Sequence, residues 1–163
     1  MEIDLGRSTE EPAWPAGLAS RPFHRGEERA VYDAYVEAFA DHWGFVPESF
    51  ADWCTWNLGP NADTSLWRLV EDGGEIAAVC MSNASRGVDR TLGWIGVLAV
   101  RRPWRRRGLA RALLVESFGL FRSAGRARAA LGVDSENTTG ALALYETAGM
   151  RVASRSDTWE RML

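Results

Sequence analysis

The chain contains no lysine, two cysteines and two histidines among its 163 residues. All 19 basic residues are therefore arginine. Cys54 and Cys80 stand apart from each other, with no second thiol or histidine at metal-ligand spacing. That pattern indicates no metal site and no required disulfide. Long hydrophobic runs are missing too. The longest, Leu92 to Val100, contains two glycines and falls far below the roughly 18 residues of a membrane-spanning helix. Near the start, Glu2 and Asp4 stand where a secretory signal would carry basic residues and an apolar stretch. A cytoplasmic protein with no membrane partner is expected. Net charge is only -3 at pH 7, which argues against gripping nucleic acid by its phosphates, and no nucleic-acid partner is expected.

What is present suffices for one core: 46% of the residues are hydrophobic and 10% aromatic. Residues 1–19 are rich in Glu, Pro and Gly without periodicity, so they read as an N-terminal arm or linker before a domain at 20–163. A short strand at 20–23 precedes a helix over 26–40, where Ala30, Val31, Ala34, Tyr35, Ala38 and Phe39 recur at helical spacing. A second helix is predicted from Pro47 to Leu58, proline fitting the first helical position. Strands at 65–71 and 75–82 are joined by Asp72, Gly73 and Gly74 in a tight hairpin. Leu92 to Val100 is apolar enough for burial on both faces, and Gly93 and Gly96 within it mark a bulge or a close backbone approach. A helix over 109–125, a strand at 128–133, a helix at 140–148 stopped by Gly149, and short strands at 151–155 and 158–162 complete the chain. This order predicts an α/β fold: a mixed, mostly antiparallel sheet of about seven strands flanked by about four helices.

The densest chemical signal is the arginine turn, residues 101–111. The apolar strand runs directly into Arg105, Arg106, Arg107, Gly108, Leu109, Ala110 and Arg111 at the start of an amphipathic helix. A helix start presents unpaired N–H groups and the positive end of the helix dipole, both suited to an anion. Arginines there are unfavourable unless an anion compensates them, so the cluster predicts its ligand. Gly108 and Ala110 keep the wall low enough for a pyrophosphate to approach the backbone, and the flanking arginines can pair with phosphate oxygens.

Arg105-x-x-Gly108-x-Ala110 after a strand resembles the acyl-CoA motif of the GNAT acetyltransferase superfamily: Gln or Arg, two residues, Gly, one residue, Gly or Ala. Further on, Asn137, Ala141, Leu144, Tyr145, Glu146 and Gly149 resemble that superfamily's Asn…Ala…Leu-Tyr-Glu…Gly signature, in its RimI-like form. The resemblance is close over residues 92–150. It implies the GNAT fold and an N-acetyltransferase that takes acetyl-CoA or another acyl-CoA as donor, without a metal. It also implies that Asn137 holds the pantetheine arm, that the backbone of Leu98, Ala99 and Val100 pairs with that arm, and that backbone N–H groups of this strand stabilise the oxyanion. Tyr145 is then the general acid for the departing thiolate. Tyr145 follows Asn137 by eight residues here, against seven in the commonest form.

The acceptor is expected to be an amine of a small molecule or peptide. Deprotonating a lysine-like amine at pH 7 costs about 4.6 kcal/mol, and a peptide α-amine about 1 kcal/mol. No acid lies on the strand before the turn, so the proton is expected to leave through water or through Glu37, Glu71 or His42. Trp43, Phe45, Trp53 and Trp56 form an aromatic set that either walls an acceptor pocket or packs the core. Other readings remain open: a module that binds acyl-CoA with little catalysis, a homodimer, and a second half of a tandem pair. The last rests on the likeness of Met-Glu-Ile-Asp-Leu at residues 1–5 to Trp-Glu-Arg-Met-Leu at residues 159–163.

Overall fold

The computed structural model describes residues 1–7, 10–42, 44–60, 62–85, 87–134 and 140–156. Among them are six strands: β1 (Glu2–Asp4), β2 (Ser20–Pro22), β3 (Arg68–Asp72), β4 (Glu75–Asn83), β5 (Leu92–Val100) and β6 (Arg128–Leu131). The four α-helices are α1 (Glu28–Phe39), α2 (Phe50–Leu58), α3 (Leu109–Ser123) and α4 (Ala141–Thr147). The strands form one sheet in the order β1-β6-β5-β4-β3-β2, antiparallel throughout except for the β5–β6 pair.

Alternation along the central strands decides which helix covers which face. Successive strand residues point to opposite sides. Ala78 and Cys80 of β4 accordingly join the cluster built on Leu113, Leu114, Phe118 and Phe121 of α3. Val79 and Met81 join the opposite cluster, with Val31, Ala34 and Ala38 of α1 and Trp53 of α2. Both faces of the sheet are therefore covered, and β4 is buried almost along its whole length.

β5 breaks this alternation once, at Gly96. Met81 of β4 pairs with Val97 and the next residue, Ser82, with Ile95, so Gly96 is the extra residue of a β-bulge. The bulge flips the side-chain phase. Ile95 packs on the α3 side, whereas Val97 and Ala99 pack on the α1 side and Leu98 and Val100 return to the α3 side. Gly93 has a different reason to be glycine: a Cβ there would lie 2.4 Å from the Phe121 ring. Only a bare backbone lets α3 seat so closely.

Several boundaries differ from the expectations. The residues expected as an arm without regular structure begin with β1, which pairs Glu2 with Ala130 of β6, and Leu5 and Leu18 are buried. A three-residue edge strand has too few positions to show alternation, so its pattern leaves no trace in sequence. The helix expected from Pro47 starts instead at Phe50, because Ser49 supplies the cap: its hydroxyl accepts from the Asp52 N–H at 3.2 Å. Of the strand expected at 151–155, only Arg151 pairs, in a reciprocal backbone bridge with Glu2 at 2.8 Å each way. The strand expected at 158–162 lies outside the described residues. The sheet thus has six described strands against about seven expected, and β1 occupies the edge beside β6. The 73–74 hairpin and the stop at Gly149 (φ 91°) are as expected, with Gly73 and Gly74 both at positive φ.

Candidate active site

The site forms where β5 and β6 separate. Their parallel pairing joins Leu92, Gly93, Trp94 and Ile95 to residues 128–131 and ends there. From Gly96 onward β5 has no strand on that side among the described residues. A cavity of about 850 Å³ opens in the gap, lined by Gly96, Leu98, Ala99 and Val100 on one side and by Gly132 and Val133 on the other. The bulge and the split coincide at Gly96, so those backbone groups of residues 96–99 that are not directed at β4 face open space in the middle of the sheet.

At the end of this edge the chain makes a 3-10 turn at Arg102–Trp104 and then two left-handed steps, Arg106 at φ 58° and Gly108 at φ 89°. Gly108 is the N-cap of α3 and has no side chain to cap it. The first helical bond runs from the Ala112 N–H to the Gly108 carbonyl, at 3.0 Å. Among the described residues, none of the N–H groups at residues 106–111 meets an acceptor. Six unpaired donors at the positive end of a 15-residue helix are suited to an anion.

The arginines divide into distinct roles. Arg105 lines the cavity, and each of its three guanidinium nitrogens donates to a protein acceptor: the Val100 carbonyl at 3.0 Å, the Ala38 carbonyl at 2.8 Å and the Asp41 carboxylate at 2.9 Å. It ties the end of α1 to the turn. Asp41 also takes Arg102, and the two guanidiniums hold its carboxyl below the usual carboxylate range. Arg101 is tied to Glu37 and Glu75, and Arg107 lies 3.6 Å from Asp72, outside the cavity lining. Arg111 lines the cavity and pairs with Glu10 at 2.5 Å. Arg106 also lines the cavity, and among the described residues no carboxylate pairs with it. Arg106→Ala is therefore expected to weaken CoA binding roughly tenfold, about 1.4 kcal/mol, at unchanged melting temperature. Arg105→Ala should chiefly lower the melting temperature. Titration calorimetry and thermal unfolding of the two variants check this, and the reverse pattern would refute the division.

Tyr145 on α4 lies across the cavity from β5 and is 8% exposed. Burial, and secondly Cys80, pushes its phenol above the usual tyrosine value, so it keeps its proton. Gly108, Leu109 and Ala110 join Leu98, Ala99, Val100 and Tyr145 in the same lining. Asn137 and Trp43 lie outside the described residues. Of the three base candidates, Glu37 is tied to Arg101 and Glu71 to Arg21 at 2.8 Å, whereas His42 lines the cavity, its ring packed on Phe39. Within the aromatic set, Trp53 is core and Phe45 packs on Tyr35 and Phe39. Trp56 alone of the described three lines a cavity. Sequence spacing could not single out Arg106, because the partners of its neighbours, Asp41 and Glu10, come from remote segments. No cluster of three or more potential metal ligands occurs among the described residues.

Residues 28–150 match the Acetyltransferase (GNAT) family. The chain belongs to this family. It is similar to a GCN5-related N-acetyltransferase from Sphaerobacter thermophilus, with 38% identity and a TM-score of 0.78. That match covers 92% of this chain and 46% of the Sphaerobacter chain, so the present chain spans less than half of that relative's length. The ribosomal-protein-S18-alanine N-acetyltransferase from Escherichia coli is similar in fold, at 24% identity and a TM-score of 0.67, over 84% of this chain and 79% of that one. So is the NatC complex bound to Gag peptide and CoA, at 21% identity and a TM-score of 0.63, over 80% and 82%. No curated protein matches the chain. No described helix of this GNAT protein is long and apolar enough to cross a membrane.

Proposed function

We propose that the chain is an N-acyltransferase that uses acyl-CoA, acetyl-CoA in the simplest case, and acylates an amine of a small molecule or peptide by direct attack with both substrates bound. One observation carries this reading: five of the six residues with unpaired N–H groups, Arg106 and 108–111, line a single cavity with the open edge of β5 and with Tyr145. Neighbours named for N-acetyltransfer and for bound CoA support it.

In this mechanism the N–H groups at 106–111 hold the pyrophosphate, with the charge of Arg106 beside them. The backbone of Leu98, Ala99 and Val100 aligns the pantetheine arm, and Asn137 holds its amide as the family signature implies. The acceptor nitrogen forms its bond to the thioester carbonyl carbon, and a β5 N–H stabilises the resulting oxyanion. As the carbon–sulfur bond breaks, the Tyr145 phenol gives its proton to the thiolate. The amine proton leaves through water or His42. A tandem arrangement with a second unit is part of this proposal, in keeping with the share of the Sphaerobacter chain that is covered.

Tyr145→Phe is expected to lower kcat at least about a hundredfold, with acetyl-CoA affinity unchanged by calorimetry. Because its phenol titrates above the usual value, the wild-type kcat should show no falling limb below about pH 10. An unchanged kcat in the variant would remove Tyr145 from the chemistry. Bound acetyl-CoA with no turnover of any amine would favour a binding module.

A further inference from the structure

A second cavity, of about 610 Å³, lies beside the first, and Gly96 lines both. A molecule in it would therefore meet β5 at the bulge where the first cavity begins. Its walls include Trp56 and Asn57 of α2, Asp63 on the loop that follows, Trp67 ahead of β3, and Asn83 at the end of β4. Among the described lining residues Asp63 is the only ionisable group, and no basic side chain is present. The hydroxyl of Ser65, and its N–H at 3.0 Å, hold the Asp63 carboxyl below the usual carboxylate range, so it is charged at any working pH. Trp56 presents an indole that is 82% exposed.

A carboxylate and an open indole face both favour a cation. The nitrogen that attacks the thioester must, however, be neutral, since a protonated amine has no lone pair. The favoured positive charge therefore belongs to a second nitrogen. Resting on the function proposed above, we infer that the acceptor is a diamine. Its neutral amine reaches Gly96 and is acylated, while its second, protonated amine is held by Asp63 and Trp56. The bonds made and broken are those already described, and the second ammonium remains unchanged.

The test compares cadaverine with pentylamine, which has the same five-carbon chain and lacks the second nitrogen. CoA release is measured with acetyl-CoA as donor. Cadaverine should exceed pentylamine in kcat/KM by about tenfold, through KM, the combined size of an exposed cation–π contact and a surface ion pair. Asp63→Asn keeps an oxygen for the Ser65 N–H while removing the charge, and should cut the preference to about threefold, the share of the Trp56 contact. Equal kcat/KM values in the wild type, a preference left undiminished by Asp63→Asn, or no turnover of either amine by a protein that binds acetyl-CoA would each overturn the diamine assignment. Failure of the wild-type protein to bind acetyl-CoA in calorimetry would instead overturn the function on which it rests.

Discussion

Gly108→Glu is expected to weaken CoA binding by at least about a hundredfold, near 2.7 kcal/mol, while Arg102→Ala weakens it only slightly. Gly108 sits at φ 89°, where a side chain adds roughly 1–2 kcal/mol of strain. A Cβ built there meets nothing within 4 Å, and Gly108 lines the cavity, so the larger loss is expected from a carboxylate in the place proposed for the pyrophosphate. Gly108→Ala separates the causes, since it carries the strain without the bulk or charge. Arg102 is 73% exposed in its side chain and is already paired with Asp41, which makes its charge a minor contributor. Calorimetric titration of the three variants with CoA measures the series. Equal losses for Gly108→Glu and Arg102→Ala would mean that charge, rather than backbone access, holds the cofactor.

Gly93→Ala is expected to be the most destabilising single methyl addition in the core. The new Cβ would lie 2.4 Å from two carbons of the Phe121 ring and 2.7 Å from a third, and Phe121 is fully buried. Overpacking of this kind costs about 3 kcal/mol at the upper end of its usual range, against a typical total stability of roughly 5–15 kcal/mol. In a chain of this size that corresponds to a fall in melting temperature of roughly 6–12 °C. Phe121→Leu should restore part of the loss in the double variant, because the smaller side chain vacates the contested space. Urea unfolding of both single variants and the double variant measures the coupling. Strict additivity would show that the two residues do not compete for that volume.

Much of the architecture was legible because the sequence states it locally. The apolar run from Leu92 to Val100 is β5 to the residue, and the repeat beginning at Leu109 gives α3 its start. Gly93 and Gly96 were readable as places where backbone must bulge or approach closely, and the structure assigns one role to each. What stayed hidden depends on distant segments. β1 owes its place to β6, some 125 residues away, and three residues cannot advertise a strand. The arginine turn looked like one basic patch, whereas Asp41, Asp72 and Glu10 neutralise most of it and leave Arg106. Trp53 and Trp56 are three residues apart with opposite fates, buried and open, which helical phase alone could not assign without knowing what α2 packs on.

The parting of β5 from β6 also bears on how the protein survives at high concentration. An unpaired strand edge is a template for the strand of another molecule and a starting point for aggregation. Here the open stretch is recessed in the interior of the sheet, between β5 on one side and Gly132, Val133 and α4 on the other, and does not run along an outer rim. A foreign strand would have to pry the sheet apart to reach it, whereas a thread-like molecule can slide along it. The protein thus keeps an adhesive piece of backbone open to a slender ligand while withholding it from its own copies.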